Sequence, residues 1–312
     1  MDACCSPTSG RSSRVPAPIV SGGSHPETFV ELNGGTFTMG DESRWAYPGD
    51  GEGPVHEVSL PSFALDRYTV TNEAFAAFVE ATGFVSEAET YGWSFVFAGS
   101  LPEDSPDTRA VVGAEWWRQV MGASWRHPEG PQSSIDRRLD HPVVHVSWGD
   151  AMAYCAWSGT RLPTEAEWEF AARAGSREPF PWGDELEPGG EHRMNVFQGR
   201  FPHENLGADG FLGTAPVDAF APNAFGLYNV TGNVWEWCAD WYDTGYYSRS
   251  PGDNPQGPMG GTRRVSRGGS YLCHLSYCRR YRVSARNGTE PASSLGNLGF
   301  RVARGSASAS RP

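Results

Sequence analysis

Apolar positions recur at helical spacing in only three stretches of the chain. In "TVTNEAFAAFVEATG" they fall at Ala74, Phe75, Phe78 and Val79, with Thr71 placed as an N-cap and Gly83 as a stop. "SWGDAMAYCAWSG" opens on Ser147 with Asp150 three residues on and ends at Gly159. "LPTEAEWEFAARAG" carries a full capping box, Thr164 with Glu167, and stops at Gly175. Short strands are predicted in "GGTFTMG", "HEVSLPSFALDRYTV", "HPVVHVS", "GLYNV" and "GFRVAR". Beyond residue 176 helical periodicity all but disappears, and turns, short strands and ligand-type loops are expected.

Residues 1–24 read as a disordered arm and 305–312 as a disordered tail. No linker divides the stretch between them, so 25–304 reads as one domain, large enough to need no staples. The 38 Gly, 24 Pro and 12 Trp fit a loop-rich fold pinned by large rings. A net charge of -12 argues against nucleic acid, which wants a basic face. All 25 basic residues are Arg, which removes Schiff-base and phosphate-loop lysine chemistry. No run is apolar enough to span a membrane, and "MDACCSPTSGRSSRVPAPIV" has no apolar signal core, so a cytoplasmic, reducing setting is expected. The sequons at Asn229 and Asn287 would then be idle. With no heptad or flat apolar edge, a monomer is expected.

Four constellations could carry chemistry. "NVFQGRFPHENLGADGFLG" offers Asn195, Asn205 and Asp209 among glycines, oxygen donors that suit Ca²⁺ or simply a turn. "YNVTGNVWEWCADWY" sets Asn229, Asn233, Glu236 and Asp240 among aromatic rings. There Glu236 reads as a metal ligand, a partner for a substrate arginine, or a capping group between core tryptophans. His141 and His145, read on a strand, lie roughly 13 Å apart, too far for one ion. Cys155 and Cys238 read as core thiols, and Cys4 and Cys5 as incidental.

The fourth is "GGSYLCHLSYCRRYR". Cys273 and Cys278 would sit on opposite faces of a strand, and roughly 140° apart on a helix. They meet only if the chain turns between them. A disulfide, half of a zinc site, inert structure and a soft-metal site all stay open. A reducing setting disfavours the first, and missing partner ligands disfavour the second. Two thiolates without further ligands suit Cu(I) above all.

Taken with "FPWGDE", "DGFLGTAPVDAFAPNAFGLYNVTGNVWEWCADWY" and "NLGFRVAR", these stretches resemble the formylglycine-generating enzymes, the sulfatase-modifying factors, over about residues 25–304. The resemblance implies an irregular, C-type-lectin-related α+β fold with little regular structure. It implies O₂-dependent oxidation of the cysteine in a Cys-x-Pro-x-Arg segment of an unfolded sulfatase to Cα-formylglycine. Cys273 and Cys278 match the pair that binds Cu(I), Ser270 a polar residue near the metal, and Trp235 an aromatic beside the reacting centre. Two structural calcium sites are implied. One uses Asn195, Val196, Asp209 and Phe211; the other uses Asn229, Val230, Gly232 and Val234, with Glu236 as a further ligand. Secretory-pathway members carry signal sequences and extra cysteines; this chain shows neither. A non-catalytic binding module with a Cys273–Cys278 disulfide and an iron-dependent sulfur oxidase are the rival readings.

Overall fold

The computed structural model describes residues 6–12, 21–102, 104–106 and 108–305. Cys4, Cys5 and the tail beyond Gly305 lie outside them. The three expected helices form: α1 over Asn72–Thr82, α3 over Trp148–Ser158 and α4 over Glu165–Arg173. Thr71, Ser147 and Thr164 cap them as their side chains predict, the latter two in reciprocal boxes with Asp150 and Glu167. A short helix the periodicity did not announce, α2 over Glu87–Tyr91, starts on a Ser86–Glu89 box. At the end of α4 the left-handed position is Ala174 (φ 47°), one residue before the expected Gly175.

The strands are short. "HEVSLPSFALDRYTV" breaks at Pro61 into His56–Leu60 and Phe63–Asp66, because proline has no amide for a ladder. "HPVVHVS" is not a strand. It makes single backbone bonds to Val70 and Leu295, and His145 turns left-handed (φ 60°). "GLYNV" is likewise bend, with Asn229 at φ 47°.

Phe63–Asp66 pairs with Phe29–Leu32 on one side and Ala303–Arg304 on the other, which ties the two ends of the domain together. Near the centre lies a four-stranded sheet ordered Arg286–Thr289, Arg264–Arg267, Trp235–Trp241, Leu298–Gly299. Its last pairing is parallel, and places Trp235 against Leu298. Strand alternation sends Trp235 and Trp237 into one apolar cluster and Cys238 into the other, so this sheet stands between two cores. Cys155 and Cys238 therefore belong to separate cores. Neither is in a disulfide, and burial pushes both thiols up, Cys155 to about 12.

Buried arginines cross-link the elements. Arg286 grips Glu165 of α4 at 2.6 and 2.7 Å, Arg282 reaches Glu52 at 2.7 and 2.8 Å, and Arg301 holds Glu236 with two 2.6 Å bonds. Arg267 bridges Glu165 and Glu169, and is itself fully buried. Such two-pronged pairs need a planar guanidinium. The absence of lysine thus has a structural side at these positions.

Residues 6–12 and 21–23, in the expected arm, make contacts with the domain. The Gly22 and Gly23 amides donate to Trp157 O at 3.3 and 3.2 Å, and Ser6 and Pro7 are buried.

Candidate active site around Cys273 and Cys278

Two tight turns bring the thiols together. Cys273 N donates to Ser270 O at 2.9 Å, and Cys278 N donates to His274 O at 2.8 Å. Gly268 (φ 95°) and Gly269 (φ 76°) aim the preceding chain into this loop. A Cβ on Gly269 would fall 2.7 Å from Tyr281 Cα, so only glycine lets the two arms of the loop close. The sulfurs lie 3.3 Å apart, each residue 1% exposed, with no disulfide between them. The spacing that could not work on a strand or a helix works on this doubled turn.

A positive charge stands beside the pair. Arg280 places Nη1 3.8 Å from Cys278 Sγ, and Asp50 and the Tyr47 ring (4.3 Å) hold that guanidinium in place. A fixed positive charge beside a sulfur stabilises its anion. Burial first, then the neighbouring Cys273 and Cys278, push the Tyr281 phenol up, so it stays neutral beside the pair.

Ser270 is fully buried. Its Oγ accepts from Leu272 N at 3.3 Å and from Asn297 Nδ2 at 3.0 Å, which leaves its own O–H to donate. Asn297 O accepts from Trp235 N at 2.8 Å. Trp235 shares the apolar cluster of the two cysteines, and its indole Nε1 is buried with no hydrogen-bond partner among the described residues. Asn297, Arg280, Asp50 and Tyr47 were not singled out in the sequence. Only Arg280, two places after Cys278 in the arginine run, left a local signal.

Beside Cys278 an aromatic platform is half-buried. Tyr277 and Phe201 stack at 4.3 Å and 9°, and Trp116 meets Tyr277 edge-on at 4.9 Å. The two histidines go elsewhere. His141 Nδ1 bonds Thr214 Oγ1 at 2.9 Å and His145 Nδ1 bonds Ser94 Oγ at 2.7 Å. Among the described residues no group of three or more His, Cys, Asp and Glu is placed to hold a metal. The thiol pair thus offers two donors, which fits a soft, low-coordinate ion and falls short of the four that structural zinc takes.

The oxygen-rich loops form two further clusters. Asp209 Oδ2 accepts from Val196 N at 3.0 Å and Gln198 Nε2 at 2.7 Å, and Gln198 Nε2 also reaches Val196 O. A carboxylate and a carbonyl oxygen therefore converge on one point, as an oxygen-seeking cation requires. Phe211 N donates to Asp209 Oδ1 at 3.0 Å, and Asn195 Nδ2 donates to Gly213 O at 2.8 Å. Asn205 holds only its own turn, accepting from Gln198 N and Gly207 N. In the second loop Asn229 Oδ1 is buried without a hydrogen-bond partner among the described residues, its Nδ2 donates to Pro216 O and Val217 O, and Val230, Gly232 and Val234 follow it in sequence. Glu236 does not fit there. Arg301 and Trp168 Nε1, at 2.7 Å, already occupy its carboxylate, so its partner is an arginine of this chain and its flanking tryptophans are core. Asn233, singled out in the same stretch as Asn229, links to the first cluster by accepting from Asn195 Nδ2 at 3.2 Å, and it also accepts from Ala215 N at 2.9 Å.

A family model described as "Sulfatase-modifying factor enzyme 1-like domain" matches residues 20–306. A Thermomonospora curvata protein named "Formylglycine-generating enzyme" is 58% identical over 280 residues, covering 88% of this chain and 92% of that one. A mouse protein named "Inactive C-alpha-formylglycine-generating enzyme 2" is 45% identical over 289 residues, covering 91% and 87%. Among solved structures, PvdO from Pseudomonas aeruginosa is similar with a TM-score of 0.64 and 30% identity over 88% of this chain and 93% of that one. Since one relative is named inactive, overall similarity does not decide the reaction, and the residues of the site have to.

Proposed function

The chain belongs to the sulfatase-modifying factor enzyme family, and from that premise we propose that it oxidises the cysteine of a Cys-x-Pro-x-Arg segment in an unfolded sulfatase to Cα-formylglycine, activating the sulfatase. The observation that carries this reading is the buried Cys273–Cys278 pair, 3.3 Å apart, with Arg280 on one sulfur and Ser270 nearby in the chain.

The balanced reaction takes one substrate thiol, one O₂, two electrons from a thiol reductant and two protons. It yields one aldehyde, one sulfide and one water. A Cβ–H bond and the Cβ–S bond break, and a C=O bond forms. Cys273 and Cys278 would hold Cu(I), which when bound supplies O₂ activation and affinity for a third sulfur. The chain's own residues do the rest. Arg280 sets a positive charge beside Cys278, and the low exposure of both cysteines shields the pair from bulk thiols and water. Ser270, fixed by Asn297, offers a hydroxyl proton to developing negative charge. The Tyr277–Phe201–Trp116 platform, starting one residue from Cys278, suits the substrate proline, because aromatic grooves take extended proline segments.

Calcium at the Asp209 and Asn229 clusters would brace the loops that lead into the Trp235–Trp241 strand. Retention in the cytoplasm and a monomeric state complete the reading. No helix among the described residues is long and apolar enough to cross a membrane.

The test is mass spectrometry of a Cys-x-Pro-x-Arg peptide incubated with the protein, O₂ and a thiol reductant, with and without added Cu(I). Conversion of thiol to aldehyde, dependent on copper, is expected. An unchanged peptide under both conditions would sink the reading.

A further inference from the structure

Residues 6–12 lie in a built groove that the reaction above does not use. Arg11 is the anchor. Its guanidinium stacks 3.8 Å over the Trp93 ring and 4.7 Å from Tyr91. Along its edge it donates to Ser294 Oγ at 2.8 Å, Ala292 O at 3.4 Å and Trp93 O. The neighbouring backbone is held as well. Ser9 N and Gly10 N share Glu290 Oε2 at 2.9 and 3.3 Å, Pro7 O accepts from Ser293 Oγ at 3.4 Å, and Ser12 O accepts from Tyr91 OH at 2.9 Å. Asn287 Nδ2 donates to Ser6 Oγ at 3.0 Å. Six of the seven residues are thus engaged through side chain or backbone, the pattern of a bound peptide rather than a frayed end. A guanidinium met on its face by rings and on its edge by acceptors is a site selective for arginine.

The groove wall continues into the active site. After Ser294 the chain runs through Leu295 and Gly296, whose amide donates to Phe95 O at 3.0 Å, directly to Asn297, the residue that fixes Ser270 Oγ at 3.0 Å. Ser294 O also accepts from Ser94 Oγ at 2.8 Å. One strip of backbone therefore has the arm on its first residues and the active-site amide on its last.

We propose that this groove is a binding site for an extended, arginine-bearing peptide, that its resident ligand is the chain's own segment 6–12, and that filling it holds the 292–297 strip so that Asn297 meets Ser270. The arm is then a strap whose grip reaches the reacting centre through backbone.

The experiment uses a variant lacking residues 1–12 and two synthetic peptides, one of residues 6–12 and one with Arg11→Ala. The truncated protein should bind the first peptide saturably, read by Trp fluorescence. It should bind the alanine peptide at least about tenfold more weakly, the factor expected from losing charge-assisted hydrogen bonds. Amide exchange over 292–297 should be faster after truncation and slow again on adding the first peptide, while exchange in α4 stays constant. Absence of binding, equal binding of both peptides, or exchange over 292–297 indifferent to the peptide would overturn the proposal. Should the truncated chain not fold, full-length Arg11→Ala and Glu290→Gln take its place. Both should exchange faster over 292–297 than the parent, and parent-like exchange would again overturn it. Neither readout depends on the oxidation reaction.

Discussion

Asn297 and Ser270 are joined side chain to side chain, Asn297 Nδ2 donating to Ser270 Oγ at 3.0 Å, while the Asn297 carbonyl takes the amide of Trp235. One residue thus holds the Ser270 side chain and the Trp235 backbone, the two positions expected from the sequence to lie near the thiols. Asn297→Ala removes the donor and lets the serine hydroxyl rotate. A lost hydrogen bond of about 1–1.5 kcal/mol predicts a fall in kcat of about tenfold with KM little changed. Asn297→Asp should be worse, because a carboxylate would take the serine proton for itself. Steady-state kinetics on the cysteine peptide checks both, and a pure KM effect would count against the assignment.

Cys273→Ala and Cys278→Ala should each lose Cu(I) binding and lower turnover by at least about 100-fold, the scale of removing a group the transition state needs. Each removes only a small buried atom, so the fold should hold to within about 1 kcal/mol. Copper titration against a competing chelator and urea unfolding separate the two effects. Full activity in both variants would remove the metal from the proposal.

Glu236→Gln should destabilise by about 3–5 kcal/mol, because it leaves the buried Arg301 without its counter-charge. A Glu236→Leu, Arg301→Met double variant should recover much of that loss, since a buried ion pair often exchanges for apolar groups near neutrality. Urea unfolding gives both numbers. A double variant no better than the single one would contradict the pairing.

The helices were legible because their signals are local: Thr71, Ser147 and Thr164 each cap the turn they begin. The cysteine pair was legible as two thiols that could meet only if the chain turned between them. Its geometry was not, because the 3.3 Å approach depends on a close pass at Gly269, where a Cβ would fall 2.7 Å from Tyr281 Cα. Asn297 and Asp50 stayed hidden for the same reason, being 24 and 223 positions from Cys273 in sequence and brought in by packing alone. Glu236 stayed open among several readings because its partner, Arg301, lies 65 residues on. "HPVVHVS" failed as a strand because β-branched residues favour an extended chain only where a neighbour supplies a ladder. Here the backbone makes scattered bonds to Val70, Asn72, Arg138 and Leu295 and no continuous ladder.

Calcium should show itself as stability. At a concentration 100-fold above its Kd, one site adds about 2.7 kcal/mol to the folded state. Melting temperature should therefore fall when the protein is stripped with a calcium chelator and recover more with Ca²⁺ than with Mg²⁺, which demands a tighter octahedral shell of oxygens. Asn229→Ala removes a buried oxygen that has no hydrogen-bond partner among the described residues, and should shrink the calcium-dependent shift. Identical melting in calcium and chelator would end the structural-calcium reading.

Asp240 predicts a pH effect of opposite sign to the usual carboxylate. Burial first, then the charge of Glu165, push its carboxyl up to about 8. Between about 4 and 8 the folded protein therefore keeps a proton that the unfolded chain has released. The stability contributed by this group is fully present below the lower value and is lost as pH rises toward the upper one. Asp240→Asn cannot ionise, and its Oδ1 can still accept from Glu165 N, the bond that Asp240 makes at 2.7 Å. The variant should thus gain stability over the parent progressively across that window, with the gap smallest near pH 4. Paired urea melts at intervals of pH read the difference directly. A gap that stays constant, or that widens toward low pH, would show that Asp240 is ionised in the folded protein throughout.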